Sequence, residues 1–147
     1  MKNRGQSGFS LIELLIVCVV IAILGAIAIP YLRKAVQTAE NRTTRTTLRA
    51  VATTQLSYST TAGRFARLNE VNNIMGGGVG ALSGTDIIRG PFTISMVPAA
   101  PTDAELINGY TITATRNIPG DGIYIYELTE RGRVEQISPF CAGVDCD

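Results

Sequence analysis

A single carboxylate stands near the start of the longest apolar run of the chain, just after a short basic leader. Glu13 follows Gly8 by five residues, and no charged residue occurs between Leu14 and Ile29. A charge costs about 2.5–3.5 kcal/mol near the centre of a membrane helix and less toward an end. Such a carboxylate needs a cationic partner, because pairing lowers the cost of burying it. Cleavage of the peptide bond after Gly8 would supply one, a positive amine on Phe9.

Other reactive residue types are scarce. The chain has no His, which removes the commonest general base and a common metal ligand. We find no nucleophile motif and no acid cluster in a fixed scaffold, so we predict no catalytic residue, no cofactor and no metal site. Cys18 lies in the apolar run, where we expect a buried structural thiol. Cys141 and Cys146 lie close together, and in an exported protein such a pair most often forms a disulfide.

The apolar run is long enough to cross a membrane. Residues 9–29 would form a helix of about 31 Å, which matches the hydrocarbon thickness of a bilayer. Lys2 and Arg4 precede the run and favour a cytoplasmic leader, although a second basic pair follows it. An ordinary secretory signal would place its small-residue cleavage site after a shorter apolar region. Here the small residue precedes the run, so cleavage would leave the helix on the mature protein.

These residues closely resemble the type IV prepilin class, which includes pilins and pseudopilins. Its signature is a short basic leader ending in Gly, then Phe-Ser/Thr-Leu-Ile-Glu, then an apolar run ending near a Pro. The matching elements are Gly8, the segment 9–13 and Pro30. The resemblance implies that a prepilin peptidase cleaves between Gly8 and Phe9 and methylates the new Phe9 amine. It also implies that Glu13 pairs with the Phe9 amine of a neighbouring subunit during filament assembly.

The helical pattern continues beyond the apolar run. Apolar residues recur at near-helical spacing, and no Gly or Pro interrupts residues 31–62 before Gly63, which we expect to cap the helix. We therefore predict one helix over residues 9–62, apolar all round in its first half and amphipathic in its second. Gly25 and Pro30 mark a weak stretch, because Pro30 removes a backbone donor. We expect a continuous or gently kinked helix in the isolated subunit, with melting only in a filament.

The amphipathic half carries an arginine face. Arg42, Arg45 and Arg49 lie three and four residues apart, so they share one side of the helix. Residues 86–147 carry nine acids against four arginines, which suggests that this face contacts the acidic head of an adjacent subunit. A solvated helix face is the alternative. DNA binding is not favoured, because no aromatic array accompanies the arginines.

The remainder predicts a small sheet. Alternating apolar residues indicate strands at 92–96, 110–115, 123–128 and 133–137, after a loop over 64–90 with a short helical turn at Leu68–Ile74. One apolar sheet face suits an antiparallel sheet covered by a helix. The expected cover is Leu48, Val51, Ala52 and Leu56. The predicted class is α+β, with four segments: a cleaved leader 1–8, a membrane or filament-core helix 9–30, an amphipathic helix 31–62 and a β head 63–147.

The resemblance implies a structural subunit of a type IV pilus that supports adhesion, twitching motility or DNA uptake. It implies a single-pass inner-membrane precursor with a periplasmic head, which then enters an extracellular filament. Its partners would be copies of itself, prepilin peptidase and the pilus or secretion assembly machinery. A type II secretion pseudopilin and a minor pilin that primes assembly or binds DNA are the alternatives. An anchored enzyme and an adhesin that never polymerises are the rivals from other classes.

Overall fold

The computed structural model describes residues 9–118 and 122–138. The chain divides into two compact units, Met1–Ala39 and Glu40–Asp147. Helix α1 (Leu11–Ala62) contributes residues to both units. In the described part of the second unit, the other helices are α2 (Leu68–Ile74) and α3 (Asp103–Asn108). The strands described there are β1 (Ala81–Ser83), β2 (Asp86–Arg89), β3 (Phe92–Val97), β4 (Thr111–Ile118), β5 (Gly122–Thr129) and β6 (Val134–Ser138).

In the first unit, α1 begins at Leu11, two residues later than expected, because Phe9 and Ser10 lie before the helix. The helix passes through Gly25 and Pro30, which agrees with a continuous helix in the isolated subunit. Melting at these residues inside a filament stays a prediction.

In the second unit, the described strands form one antiparallel sheet in the order β1-β2-β3-β4-β5-β6. Each strand pairs with its neighbour in sequence, so the sheet is a simple meander. The four strands expected from the sequence are confirmed, and α2 has the expected bounds. The loop prediction over 64–90 missed β1 and β2, because three- and four-residue strands carry too little alternation.

The second half of α1 packs on the sheet, as the predicted α+β class requires. Leu48 and Val51 are fully buried against the inward side chains of the strands. Those inward residues include Ile87, Phe92, Ile94, Met96, Ile112, Ala114, Tyr126 and Leu128. Burial of this apolar surface supplies the main driving force for folding of the head.

The predicted helix face needs one correction. Leu56 is 64% exposed, and the neighbouring Gln55 is fully buried in its place. The buried stripe consists of Thr44, Thr47, Leu48, Val51 and Gln55, which recur at spacings of three and four. Gln55 is accommodated because its amide forms two hydrogen bonds with the backbone of Ala66. Ala52 is partly buried against the core, as expected.

Gly63 ends α1 in the expected way. Its φ of 71° is left-handed, a conformation that suits glycine because it lacks a Cβ. Its N–H donates to the carbonyl of Ser59 at 3.0 Å and closes the last turn of the helix.

Candidate functional site

The first turn of α1 contains the carboxylate singled out from the sequence. The backbone N–H of Ser10 donates to Glu13 Oε2 at 3.1 Å, and the N–H of Leu14 donates to the carbonyl of Ser10 at 3.3 Å. Ser10 is therefore the N-cap and Glu13 the third helical residue. This is the side-chain half of a capping box, in which Glu satisfies the N-cap N–H. A negative charge at this end is also favoured by the helix dipole.

The capping interaction was missed from the sequence, although its signal is present. Ser10 precedes Glu13 by three residues, directly before an apolar run, which is the pattern of a capping box. In the isolated chain, Glu13 thus has a neutral partner, the N–H of Ser10. Its expected cationic partner is the amine that cleavage would create on Phe9.

The residues around this turn are open to solvent in the isolated chain. Phe9 is 84% exposed, and the large apolar side chains of the helix from Leu11 to Val36 are also exposed. Cys18 is exposed with them, so the expectation of a buried thiol is not met in the single subunit. Among the described residues, α1 is the one helix long and apolar enough to cross a membrane. Lipid or other protein chains must cover a surface of this kind.

The N-terminal sequence matches a known family model. Residues 3–29 match the prokaryotic N-terminal methylation motif. This motif is the class III signal of type IV pilins and pseudopilins. The predicted resemblance to prepilins is therefore confirmed. No curated protein and no solved structure matches the chain.

The class III signal has direct consequences for the precursor. It implies a substrate of prepilin peptidase that assembles into pilus or secretion machinery. Together with the apolar helix, it fits a membrane-anchored prepilin. The pilins and pseudopilins that carry this signal are structural subunits. Within residues 9–118 and 122–138, no group of three or more His, Cys, Asp or Glu side chains lies close enough to hold a metal ion.

Gly8, Cys141 and Cys146 lie outside the described residues, so the cleavage point and the disulfide stay predictions.

Of the three arginines proposed to contact another subunit, Arg45 is engaged within its own head. Its guanidinium lies 5.9 Å from the ring centroid of Tyr126, a cation–π distance. The side chains of Arg42 and Arg49 are exposed and stay candidates for subunit contacts.

An ion pair between a buried arginine and a partly exposed glutamate joins α1 to the sheet, and it was not foreseen. Arg116 on β4 is only 4% exposed, and its guanidinium contacts Glu40 Oε2 at 2.8 Å. It also donates to Asn41 Oδ1 at 3.0 Å and lies 5.6 Å from the ring centroid of Phe92. The signal was an arginine two residues beyond Ala114, at an inward position of an alternating strand. Glu40, the one acid in the basic stretch of residues 33–67, is its partner.

A second polar network fixes the segment after α1. Arg64 donates two hydrogen bonds to the carboxylate of Glu70, at 2.9 and 2.8 Å. These bonds, with a third from the backbone N–H of Arg67, lower the pKa of Glu70 to about 2. The same carboxylate raises the pKa of Arg64 above its usual range. Asp103 at the start of α3 contacts Arg64 at 3.3 Å and Arg67 at 2.6 Å, so the network links α3 to the segment that leads into α2.

Proposed function

We propose that this chain is a structural subunit of a type IV pilus filament and has no active site of its own. The inner membrane holds the prepilin through α1, with the head in the periplasm. Prepilin peptidase cleaves after Gly8 and methylates the Phe9 amine. The mature subunit then polymerises through its N-terminal helix into an extracellular filament that serves adhesion, twitching motility or DNA uptake.

The observation that carries this proposal is the methylation motif at residues 3–29 on a helix whose large apolar side chains from Leu11 to Val36 are exposed. An isolated subunit has nothing to cover these side chains except lipid. Bundling of helices from many copies replaces lipid contacts with close-packed side chains, and dispersion attraction accumulates over the large contact area. The same apolar surface of α1 therefore anchors the subunit in the membrane before assembly and forms the filament core after it.

The geometry at Glu13 supports a link between cleavage and assembly. Before cleavage, the carboxylate accepts a hydrogen bond from the neutral N–H of Ser10. After cleavage, the Phe9 amine of a neighbouring subunit offers a charged donor, and charge-assisted hydrogen bonds are roughly twice as strong as neutral ones. Exchange of the neutral donor for the charged one favours entry into the filament. It also sets the register, because an unpaired charge in the apolar core is costly.

A pseudopilin of a type II secretion system is the second candidate, because the class III signal serves both classes. A minor pilin that primes assembly or binds DNA uses the same chemistry. The C-terminal Cys pair favours a pilin. Major pseudopilins share the N-terminal signal with pilins but usually carry a C-terminal calcium loop with several acids.

Shearing of surface filaments from the cells tests the proposal. We expect this subunit as an abundant component of the sheared filaments. Recovery of the mature subunit only in short periplasmic filaments, together with a secretion defect on its deletion, would favour the pseudopilin. Absence of the mature chain from any polymer would overturn the proposal for both classes.

A further inference from the structure

The second half of α1 presents a small, cationic face to solvent. Arg42, Thr46, Arg49 and Thr53 are exposed on the side of the helix opposite the buried stripe. The hydroxyls of Thr46 and Thr53 donate to the carbonyls of Arg42 and Arg49 at 3.0 and 3.2 Å. Because these two hydroxyls already donate within the helix, a partner that displaces water from this face need not supply acceptors for them.

The outer face of the sheet is acidic in the region of β5 and β6. Glu127 and Glu135 are direct cross-strand partners, so their side chains lie on the same face and side by side. Like charges directly opposite each other destabilise a sheet. Glu135 approaches Arg133 at 3.7 Å, but both side chains are largely exposed, and such pairs contribute little. Glu127 is half-buried and forms no ion pair with any residue in the described ranges.

These two faces lie on opposite sides of the same head. Helix α1 covers the inner face of the sheet, so its cationic side and the outer sheet face both point outward. We propose that the face with Arg49 docks against the Glu127–Glu135 pair of the next copy in the filament. This inference rests on the proposed function, since the partner is a second copy of this chain.

Charge and symmetry both favour that partner. One guanidinium carries five donors in a planar fork and can bridge two adjacent carboxylates, which turns their repulsion into attraction. The contact joins two different surfaces, so it is heterologous, and heterologous contacts that do not close into a ring produce open helical polymers. A nucleic acid could contact the cationic face alone, but it would leave the paired carboxylates uncompensated.

Charge reversal in the full chain, expressed with its peptidase and assembly machinery, tests the contact. We expect Arg49→Glu to lower the yield of sheared filaments by about tenfold or more, because like charges would meet in the interface. Arg49→Lys keeps the charge and should assemble, which makes it the matched control. Glu135→Arg should also lower the yield. Combined with Arg49→Glu, it should restore assembly.

Glu135→Arg also separates the proposed contact from a role of Glu135 in the stability of the head, because the two predict opposite changes in the thermal midpoint. It removes the repulsion with Glu127, so we expect a higher thermal midpoint of the isolated subunit together with poorer assembly. Wild-type filament yield from both single reversals, or no rescue in the combination, would overturn the contact. Normal Arg49→Glu filaments that no longer bind DNA would assign the face to nucleic acid and equally overturn it.

Failure of this contact and failure of the proposed function are distinguishable. Each variant is checked for loss of the leader and for recovery in the membrane, which depend on residues 1–30 and not on Arg49. If the wild-type chain loses its leader but never forms filaments, the proposed function is rejected, and the docking contact is rejected with it. If the wild-type chain forms filaments and both reversal variants do so equally well, only the proposed contact is rejected.

Discussion

The carboxylate of Glu13 accepts a hydrogen bond from the backbone N–H of Ser10 at 3.1 Å, so it caps the first turn of α1. Its pairing with the Phe9 amine of a neighbouring subunit is our proposal. The cap requires only an acceptor oxygen, whereas pairing with the Phe9 amine requires a negative charge. The two roles of Glu13 can therefore be separated by substitution.

Glu13→Gln keeps an acceptor at the third helical position but removes the charge. We expect this variant to insert into the membrane, start α1 normally and lose its leader, yet fail to enter filaments. Glu13→Ala should also insert and fail to assemble. In addition, it should fray the first turn, because the loss of a cap lowers helix stability by about 0.5–2 kcal/mol. Filament yield and hydrogen exchange in the first turn measure the two effects. Normal assembly of Glu13→Gln would show that the charge is not required.

Removal of Glu40 should destabilise the head. Arg116 would keep its bond to Asn41 but lose its ion pair in a site where it is only 4% exposed. Because Glu40 itself is partly solvated, we expect Glu40→Ala to lower the free energy of unfolding by about 1–3 kcal/mol. Arg133→Ala, at a side chain that is 79% exposed, is the control and should change it by less than about 0.5 kcal/mol. Equal effects of the two variants in denaturant titrations in detergent would contradict this assignment.

Two neighbouring residues of α1 test the correction to its buried face. Gln55→Ala leaves the N–H and carbonyl of Ala66 buried without their partner, so we expect a loss of roughly 2–4 kcal/mol. Leu56→Ala removes a larger apolar side chain, but one that is 64% exposed, and should cost less than about 0.5 kcal/mol in the isolated subunit. Thermal or chemical unfolding of both variants gives the order. The reverse order would mean that Leu56, and not Gln55, faces the core.

Acid should weaken the network around Glu70. The pKa of Glu70 is lowered to about 2 in the folded chain, so its contribution to stability is complete above its ordinary value of 4.5. That contribution is lost progressively as the pH falls from 4.5 toward 2. Glu70→Gln should be less stable than wild type at neutral pH, and the difference should shrink toward pH 2. Unfolding curves between pH 7 and pH 2 measure it, and a difference that does not depend on pH would contradict the role of the charge.

Much of the fold follows from local patterns in the sequence. The long helix, α2 and β3 to β6 were predicted because apolar periodicity is strong over these segments and Gly63 ends the helix. The class of the precursor was predictable because cleavage and methylation depend on a short linear signal. Local patterns can specify features of this kind.

Features that depend on contacts distant in sequence were missed. Gln55 is buried because the backbone of Ala66 turns back to meet it, and Arg116 is buried because Glu40 lies 76 residues earlier on α1. A polar residue at an apolar position predicts exposure until its partner is known. The adjacency of Glu127 and Glu135 likewise depends on the register of β5 and β6, which includes an irregularity.

The mass and sequence of the mature N-terminus test the central claim most directly. Tandem mass spectrometry of the chain purified from its own cells should find residues 1–8 removed and an N-methylated Phe9 as the first residue. That result would show that the amine proposed as the partner of Glu13 exists in the mature subunit. A mature chain that begins at Met1, or that has lost the apolar helix to a cut further downstream, would contradict the account.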